Sequence, residues 1–223
     1  MSEARLEAVL WDMDGVIADT WEYHYLAWRD IFAERGATFT KEDFMRYFGR
    51  RHDTIIKFAL GDGLSPEEFT AITEAKQADY RRRVTGHVRA LPGAIALIRA
   101  LNKGGIKIAI ASSAVAKNIE VILRGLEIED CFQAVAWGTE VAEGKPSPEI
   151  FLLAAAKLGV SPANCVVIED AIAGVAGARE AGMKCVAVTN SHPAASLKGA
   201  DLIVDTLQKV SIASLAGLFD SAR

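Results

Sequence analysis

The pattern of the chain changes abruptly at Leu91, and this restricts the fold more than any other feature. Between Asp12 and Leu91 no run reads as a β-strand, whereas from Leu91 onward short β-rich runs alternate with helical segments. Leu6–Trp11 reads as a buried strand that ends at Asp12. Ile106–Ala111, Phe132–Ala136, Cys165–Ile168, Lys184–Val188 and Asp201–Val204 are the later strands. Helices stop at Gly104-Gly105 and near Gly125, another starts at Ser147-Pro148, and one runs from Ala171 to Gly182. Strands joined through helices make parallel βαβ units. The expected class is α/β: a Rossmann-like parallel-sheet core, residues 1–19 and 91–223, with a helical domain, residues 20–90, inserted after the first strand.

Within the insert, Trp21, Tyr25, Trp28 and Phe32 recur at three- and four-residue steps on a helix expected over Trp21–Gly36. Further helices are expected over Lys41–Phe48 and Asp53–Leu60. Ser65-Pro66-Glu67-Glu68 then combines an N-cap serine, a proline in the first helical position and a glutamate in the third, so a helix should run to about Arg83.

Composition narrows the class. With 51% apolar and 24% charged residues the chain is globular, and a net charge of −4 argues against a protein held by nucleic-acid phosphates. No stretch approaches the roughly 20 apolar residues of a membrane span. The charged first seven residues do not read as a secretory signal. Cys131, Cys165 and Cys185 are widely spaced and without CxxC, so reduced thiols and a cytoplasmic location are expected.

Ligands of open parallel sheets sit outside the carboxyl ends of the strands. Asp12, Ser112 and Glu169-Asp170 all fall at such ends. Asp12-Met13-Asp14-Gly15 offers two acids and a glycine for a sharp turn. Ser112-Ser113 is expected to open a helix and so to offer backbone donors with a hydroxyl. Gly144-Lys145-Pro146 holds a lysine on a defined turn, and Glu169-Asp170 precedes a helix containing Gly174 and Gly177. Singly, each has an ordinary explanation: an Asx turn, an N-cap, a surface lysine, acids at a helix start. A calcium loop is disfavoured because its remaining ligands and closing Glu are missing.

Together they place four carboxylates, Asp12, Asp14, Glu169 and Asp170, at one sheet edge. Two like charges near 4 Å repel by about 4 kcal/mol at an effective dielectric of about 20. A hard divalent cation with oxygen ligands relieves this, and few carboxylates plus water suit Mg²⁺. With Lys145 as a second positive charge and Ser112 as donor, the set fits a carboxylate nucleophile beside a metal, the equipment of phosphoryl transfer.

With these residues in place the chain resembles the haloacid dehalogenase superfamily, in the branch holding β-phosphoglucomutase and small-molecule phosphatases. The resemblance rests on Asp12-Met-Asp-Gly-Val-Ile-Ala-Asp19, Ile110-Ala-Ser-Ser113, Gly144-Lys-Pro-Ser-Pro148 and Ile168-Glu-Asp-Ala-Ile-Ala-Gly174. It implies that Asp12 attacks phosphorus to give an aspartyl-phosphate, that Asp14 is the acid/base, and that Ser112 and Lys145 hold phosphoryl oxygens. It implies Mg²⁺ on Asp12, the Asp14 backbone carbonyl and Asp170, with Glu169 assisting. The insert becomes a mobile cap that reads the substrate, with Thr20, His24, Trp28, Gly49, Arg51 and Lys76 as substrate contacts. On the core side Ser113 and Asn118 join them. Two departures, a shorter Gly49 loop and a missing second hydroxyl after Ser112, favour a phosphatase over a mutase. The expected partner is a small phosphorylated sugar or polyol, with neither nucleic acid nor membrane, for a monomer or weak dimer. A receiver-like signalling domain carries similar residues, but its phosphorylated Asp lies on the third strand with no helical insert.

Overall fold

The computed structural model describes residues 4–47 and 52–220. Ala8-Val9-Leu10-Trp11 form β1, and none of the four exposes any surface. Strands covered on both faces read as continuous apolar runs, and β1 is central in its sheet. It is flanked by β2 (Lys107–Ser112) and β4 (Cys165–Glu169), with β3 (Ala134–Trp137), β5 (Lys184–Val188) and β6 (Leu202–Val204) outside them. The order is β3-β2-β1-β4-β5-β6, and every pairing is parallel. The strand order reverses direction between β1 and β4, which is where such sheets open a crevice at their carboxyl edge.

Helices cover both faces. α5 (Ala94–Lys103) packs on β2, and α7 (Glu149–Leu158) packs on β1, β2 and β3. α8 (Ile172–Glu180) lies against β4 and β5. Ile150, Phe151, Ala154 and Leu158 of α7 join Leu10, Ala111 and Val167 in one buried cluster. α6 (Ala116–Gly125) starts later than the sequence suggests. Its N-cap is Val115, with no capping side chain, so Ser112-Ser113 does not open it. Instead β2 extends through Ser112, and Ser113-Ala114-Val115 form a bend. α9 (Ile212–Asp220), which packs on α5, was not anticipated. Its start is marked only by Ser211, whose Oγ accepts from Ser214 N–H at 3.1 Å while Ser214 Oγ accepts from Ser211 N–H at 2.8 Å.

The chain separates into two compact units, residues 1–19 with 89–223 and residues 20–88. The second contains α1 (Trp21–Ala33), α2 (Lys41–Tyr47), α3 (His52–Leu60) and α4 (Pro66–Val84). Trp28, Phe32, Phe39, Phe44, Ile56 and Ile72 form its core. Arg83 links α4 to α1 through Asp30, 2.6 Å away, while also bonding Asp79 of its own helix at 2.5 Å. α1 stops at Ala33 rather than Gly36, because the chain turns through Gly36 in the left-handed region. The expected end of α2 at Phe48 lies outside the described residues.

No helix among the described residues is long and apolar enough to cross a membrane. All three cysteines are free, and burial pushes the Cys165 thiol up to about 12 and the Cys185 thiol up as well. The capping box at α4 is formed in both directions: Glu68 N–H donates to Ser65 Oγ at 3.2 Å, and Ser65 N–H donates to Glu68 Oε2 at 2.8 Å. Ser65→Ala should therefore cost about 1 kcal/mol, read from the urea midpoint followed by far-ultraviolet circular dichroism. Ser65→Asp should retain most of the stability, since an aspartate caps nearly as well.

Candidate active site

Parallel register sets the first pair of acids. Trp11 pairs with Ile168, and Asp12 N–H donates to the Ile168 carbonyl at 3.0 Å, so Asp12 leaves β1 beside Glu169 at the end of β4. The chain then turns tightly. The Ile17 and Ala18 N–H groups converge on the Met13 carbonyl at 2.9 and 3.1 Å, and Gly15 N–H donates to Ala18 at 2.9 Å. Gly15 has a φ of +83°, and a Cβ there would overlap the Asp170 carboxylate. Only glycine satisfies both conditions.

The charges around Asp12 are fixed by one lysine. Lys145 Nζ donates to Asp12 Oδ1 and Glu169 Oε1, each at 2.5 Å, and its side chain is 8% exposed. The ammonium also lies 5.0 Å from the Phe151 ring centre, a cation–π contact. Glu169 is held at its other oxygen, since Oε2 accepts from the N–H groups of Asp170 at 2.9 Å and Ala171 at 3.0 Å. Gly174, one turn into α8, leaves room for this carboxylate, which a Cβ would overlap. Asp170 Oδ2 accepts from the Ser191 hydroxyl.

Oxygens of Asp12, Glu169 and Asp170 lie within 4.8 Å of one another, and all three residues are buried. Burial pushes Asp12 well above the ordinary carboxylate range, with Glu169 and Asp170 adding to it and Lys145 opposing. Asp170 is pushed up to about 7, first by burial and then by Glu169. Burial alone would lower the Lys145 pKa, but Asp12 and Glu169 outweigh it and raise it, so the ammonium keeps its proton. Three carboxylates thus face one ammonium. A compact all-oxygen donor set with unmet negative charge fits a hard divalent cation.

Three of the four expected carboxylates form this compact group. Asp14 is half-buried, and its carboxylate stands outside the cluster, though Asp170 still feels its charge. The turn at 13–18 pairs Asp14 with Ala18. Ser112 ends β2 at the same sheet edge. It is buried, and its Oγ accepts from Ala114 N–H at 3.1 Å. Ser113 is exposed, and Asn118 is buried in the first turn of α6.

Thr20, His24, Trp28 and Lys76 belong to the helical unit. Lys76 exposes no surface, its Nζ is 2.7 Å from His24 Nδ1, and it lies 5.2 and 5.3 Å from the ring centres of Trp28 and Tyr80. His24 stacks on Tyr80 at 4.0 Å. Trp28 is a core residue of this unit, and Thr20 is the buried N-cap of α1. Gly49 and Arg51 lie outside the described residues. Asn190 and Ser191 were missed from sequence, although they follow β5 and the strand-end rule reaches them. Asn190 Nδ2 donates to the Gly15 carbonyl at 2.7 Å.

Comparison with known proteins agrees with this geometry. The family model for haloacid dehalogenase-like hydrolases matches residues 6–182. β-Phosphoglucomutase of Bacillus subtilis (strain 168) is 39% identical over 206 residues, 89% of each chain. The phosphorylated carbohydrates phosphatase of Thermotoga maritima is 32% identical over 183 residues, 80% of this chain and 83% of that one. The crystal structure of β-phosphoglucomutase from Clostridium difficile superposes with a TM-score of 0.86 at 32% identity, covering 96% of this chain and 97% of the other.

Gly174 gives the site a direct test. Gly174→Ala should displace the Glu169 carboxylate, costing about 1–3 kcal/mol by overpacking and lowering activity together with the melting temperature. Wild-type values of both would show that the room beside Glu169 is not needed.

Proposed function

Because the chain belongs to the haloacid dehalogenase-like hydrolases and is an enzyme of the phosphatase or phosphomutase type, we propose that it transfers a phosphoryl group through an aspartyl-phosphate at Asp12. The observation that carries this reading is the Lys145 ammonium, 2.5 Å from both Asp12 and Glu169 within a buried trio of acids. An aspartate so placed is held in one orientation beside fixed positive charge, as a nucleophile toward a phosphate monoester must be.

Asp12 attacks phosphorus, and the bond from phosphorus to the leaving oxygen breaks. Asp14, half-buried and outside the charged trio, gives its proton to that oxygen. It then takes a proton from the water that attacks the aspartyl-phosphate, releasing phosphate and restoring Asp12. Lys145 and the Ser112 hydroxyl hold the phosphoryl oxygens, and Glu169 keeps Lys145 in place. Asp12, Asp170 and the Asp14 backbone carbonyl, with Glu169 assisting, would hold Mg²⁺, which supplies charge neutralisation for the acids and for the transferred group.

For the substrate we propose a small phosphorylated sugar or polyol, hydrolysed rather than isomerised. The relatives named for phosphorylated carbohydrates and β-phosphoglucomutase support the class. His24 and Lys76 are the polar groups assigned to recognise it, with Thr20 and Trp28 shaping them and Ser113 and Asn118 contributing from the core. The bend Ser113-Ala114-Val115 offers no hydroxyl beyond Ser113 before α6 begins, which favours hydrolysis. The mutase reading rests on the 39% identity to β-phosphoglucomutase. The free, buried thiols suit a reducing compartment, and we place the enzyme in the cytoplasm.

Asp12→Asn should abolish turnover while leaving the circular dichroism spectrum intact and the melting temperature no lower, since one crowded carboxylate is neutralised. More than a trace of remaining activity would remove Asp12 as nucleophile.

Hydrolysis and isomerisation separate in ³¹P NMR of the enzyme with Mg²⁺, β-glucose 1-phosphate and a trace of glucose 1,6-bisphosphate. Inorganic phosphate should outpace glucose 6-phosphate. The reverse order would establish the mutase, and formation of neither would move the search to other sugar and polyol phosphates.

A further inference from the structure

The loop after β5 touches both halves of the acidic site without belonging to the family-like motifs. Ser191 Oγ donates to Asp170 Oδ2, and among the described residues Asp170 Oδ1 accepts no hydrogen bond. Next to it in sequence, Asn190 Nδ2 donates to the Gly15 carbonyl at 2.7 Å. A Cβ on Gly15 would overlap Asp170 Oδ2 and stand 3.1 Å from Ser191 Oγ, so Gly15, Asp170 and Ser191 are packed against each other. β5 places the pair: Glu169 is in register with Ala187, and Thr189 N–H donates to the Val204 carbonyl at 2.9 Å, which anchors the strand exit.

We propose that Asn190 and Ser191 are positioning residues that set the spacing between the Asp14–Gly15 turn and the Asp170 carboxylate, and thereby the affinity of the site for a divalent cation. Ser191 occupies one oxygen of Asp170 and leaves the other without a hydrogen bond among the described residues. A carboxylate buried without such a donor is free to rotate about its last side-chain bond, and a fixed one binds without that loss of freedom. Asn190 acts on the other side, restraining the turn whose backbone carbonyl at Asp14 is assigned as a ligand. Outer partners of metal-binding groups typically contribute about 10–100-fold in metal affinity or activity. This proposal rests on the reading of the acidic trio as a cation site.

The test is titration of Mn²⁺, followed by the electron paramagnetic resonance of the free ion, into substrate-free unaltered protein, Ser191→Ala, Ser191→Thr and Asp170→Asn. Ser191→Ala should weaken Mn²⁺ binding about tenfold or more, and Ser191→Thr, which keeps the hydroxyl, should restore it to within about threefold of the unaltered chain. In steady-state assays Ser191→Ala should raise the Mg²⁺ concentration for half-maximal rate by a similar factor while kcat at saturating Mg²⁺ falls little. Asp170→Asn should lose Mn²⁺ binding altogether. Unchanged Mn²⁺ affinity in Ser191→Ala, beside normal binding by the unaltered chain and loss in Asp170→Asn, would overturn the positioning role alone. A loss that Ser191→Thr does not restore would also overturn it. Absence of Mn²⁺ binding by the unaltered protein would overturn the cation reading and the positioning role with it.

Discussion

One buried ammonium, bonded to two of three clustered carboxylates, governs the sheet edge. Lys145 offsets part of the charge of Asp12, Glu169 and Asp170, while burial, with the acids' mutual repulsion adding to it, still raises the pKa values of Asp12 and Asp170. For Asp170 the direction fixes a consequence for stability. An acid that binds its proton more tightly folded, near 7, than unfolded, near the ordinary 3.8, stabilises the fold while protonated. That contribution fades as pH rises between those two values, so near neutrality the apo site works against folding. A ligand that binds only the folded chain reverses the effect by mass action. The cluster thus favours occupancy, and the Lys145 ammonium is what the fold itself supplies against its charge.

The neighbours of the cluster are chosen by space as much as by charge. Gly15 and Gly174 approach Asp170 and Glu169 so closely that any side chain would collide with a carboxylate. Gly177 plays a related part further along α8, where a Cβ would lie 2.9 Å from the Pro146 carbonyl, next to the lysine. Gly174 and Gly177 weaken α8 by propensity, roughly 0.8–1.0 kcal/mol each relative to alanine. In return Gly174 lets the helix close on the Glu169 carboxylate and Gly177 lets it close on the Pro146-Ser147 backbone and Phe151.

Most of the fold is legible because its signals are local. Strand-to-helix alternation identified the parallel sheet, and Ser65-Pro66-Glu67-Glu68 marked the start of α4 to the residue. The strand-end rule found Asp12, Ser112, Glu169 and Asp170. What escaped depends on packing between distant segments. Whether Ser112-Ser113 opens a helix or continues a strand is settled by pairing with β3, where Ser112 is in register with Trp137. Asn190 and Ser191 look like ordinary turn residues until β5 is laid beside β4. Which oxygen of Glu169 meets Lys145 and which accepts from the Asp170 and Ala171 N–H groups is a matter of three-dimensional register, and no spacing in the sequence encodes it.

The helical unit contains the complementary exception. On α4, residues 72, 76 and 80 share one face, and Ile72 and Tyr80 are buried there as periodicity requires. The residue between them is Lys76, equally buried, with His24 and two aromatic rings around its ammonium. A leucine would satisfy the packing without the cost of desolvating a charge. Departures of this kind from otherwise consistent patterning concentrate at functional sites. The core unit therefore holds unmet negative charge and the helical unit a buried positive one. The first calls for a divalent cation. The second is met within its own unit by His24 and by the rings of Trp28 and Tyr80. Each unit thus sets its buried charge beside groups that offset part of the desolvation, Lys145 among carboxylates in one and Lys76 with His24 and two aromatic rings in the other.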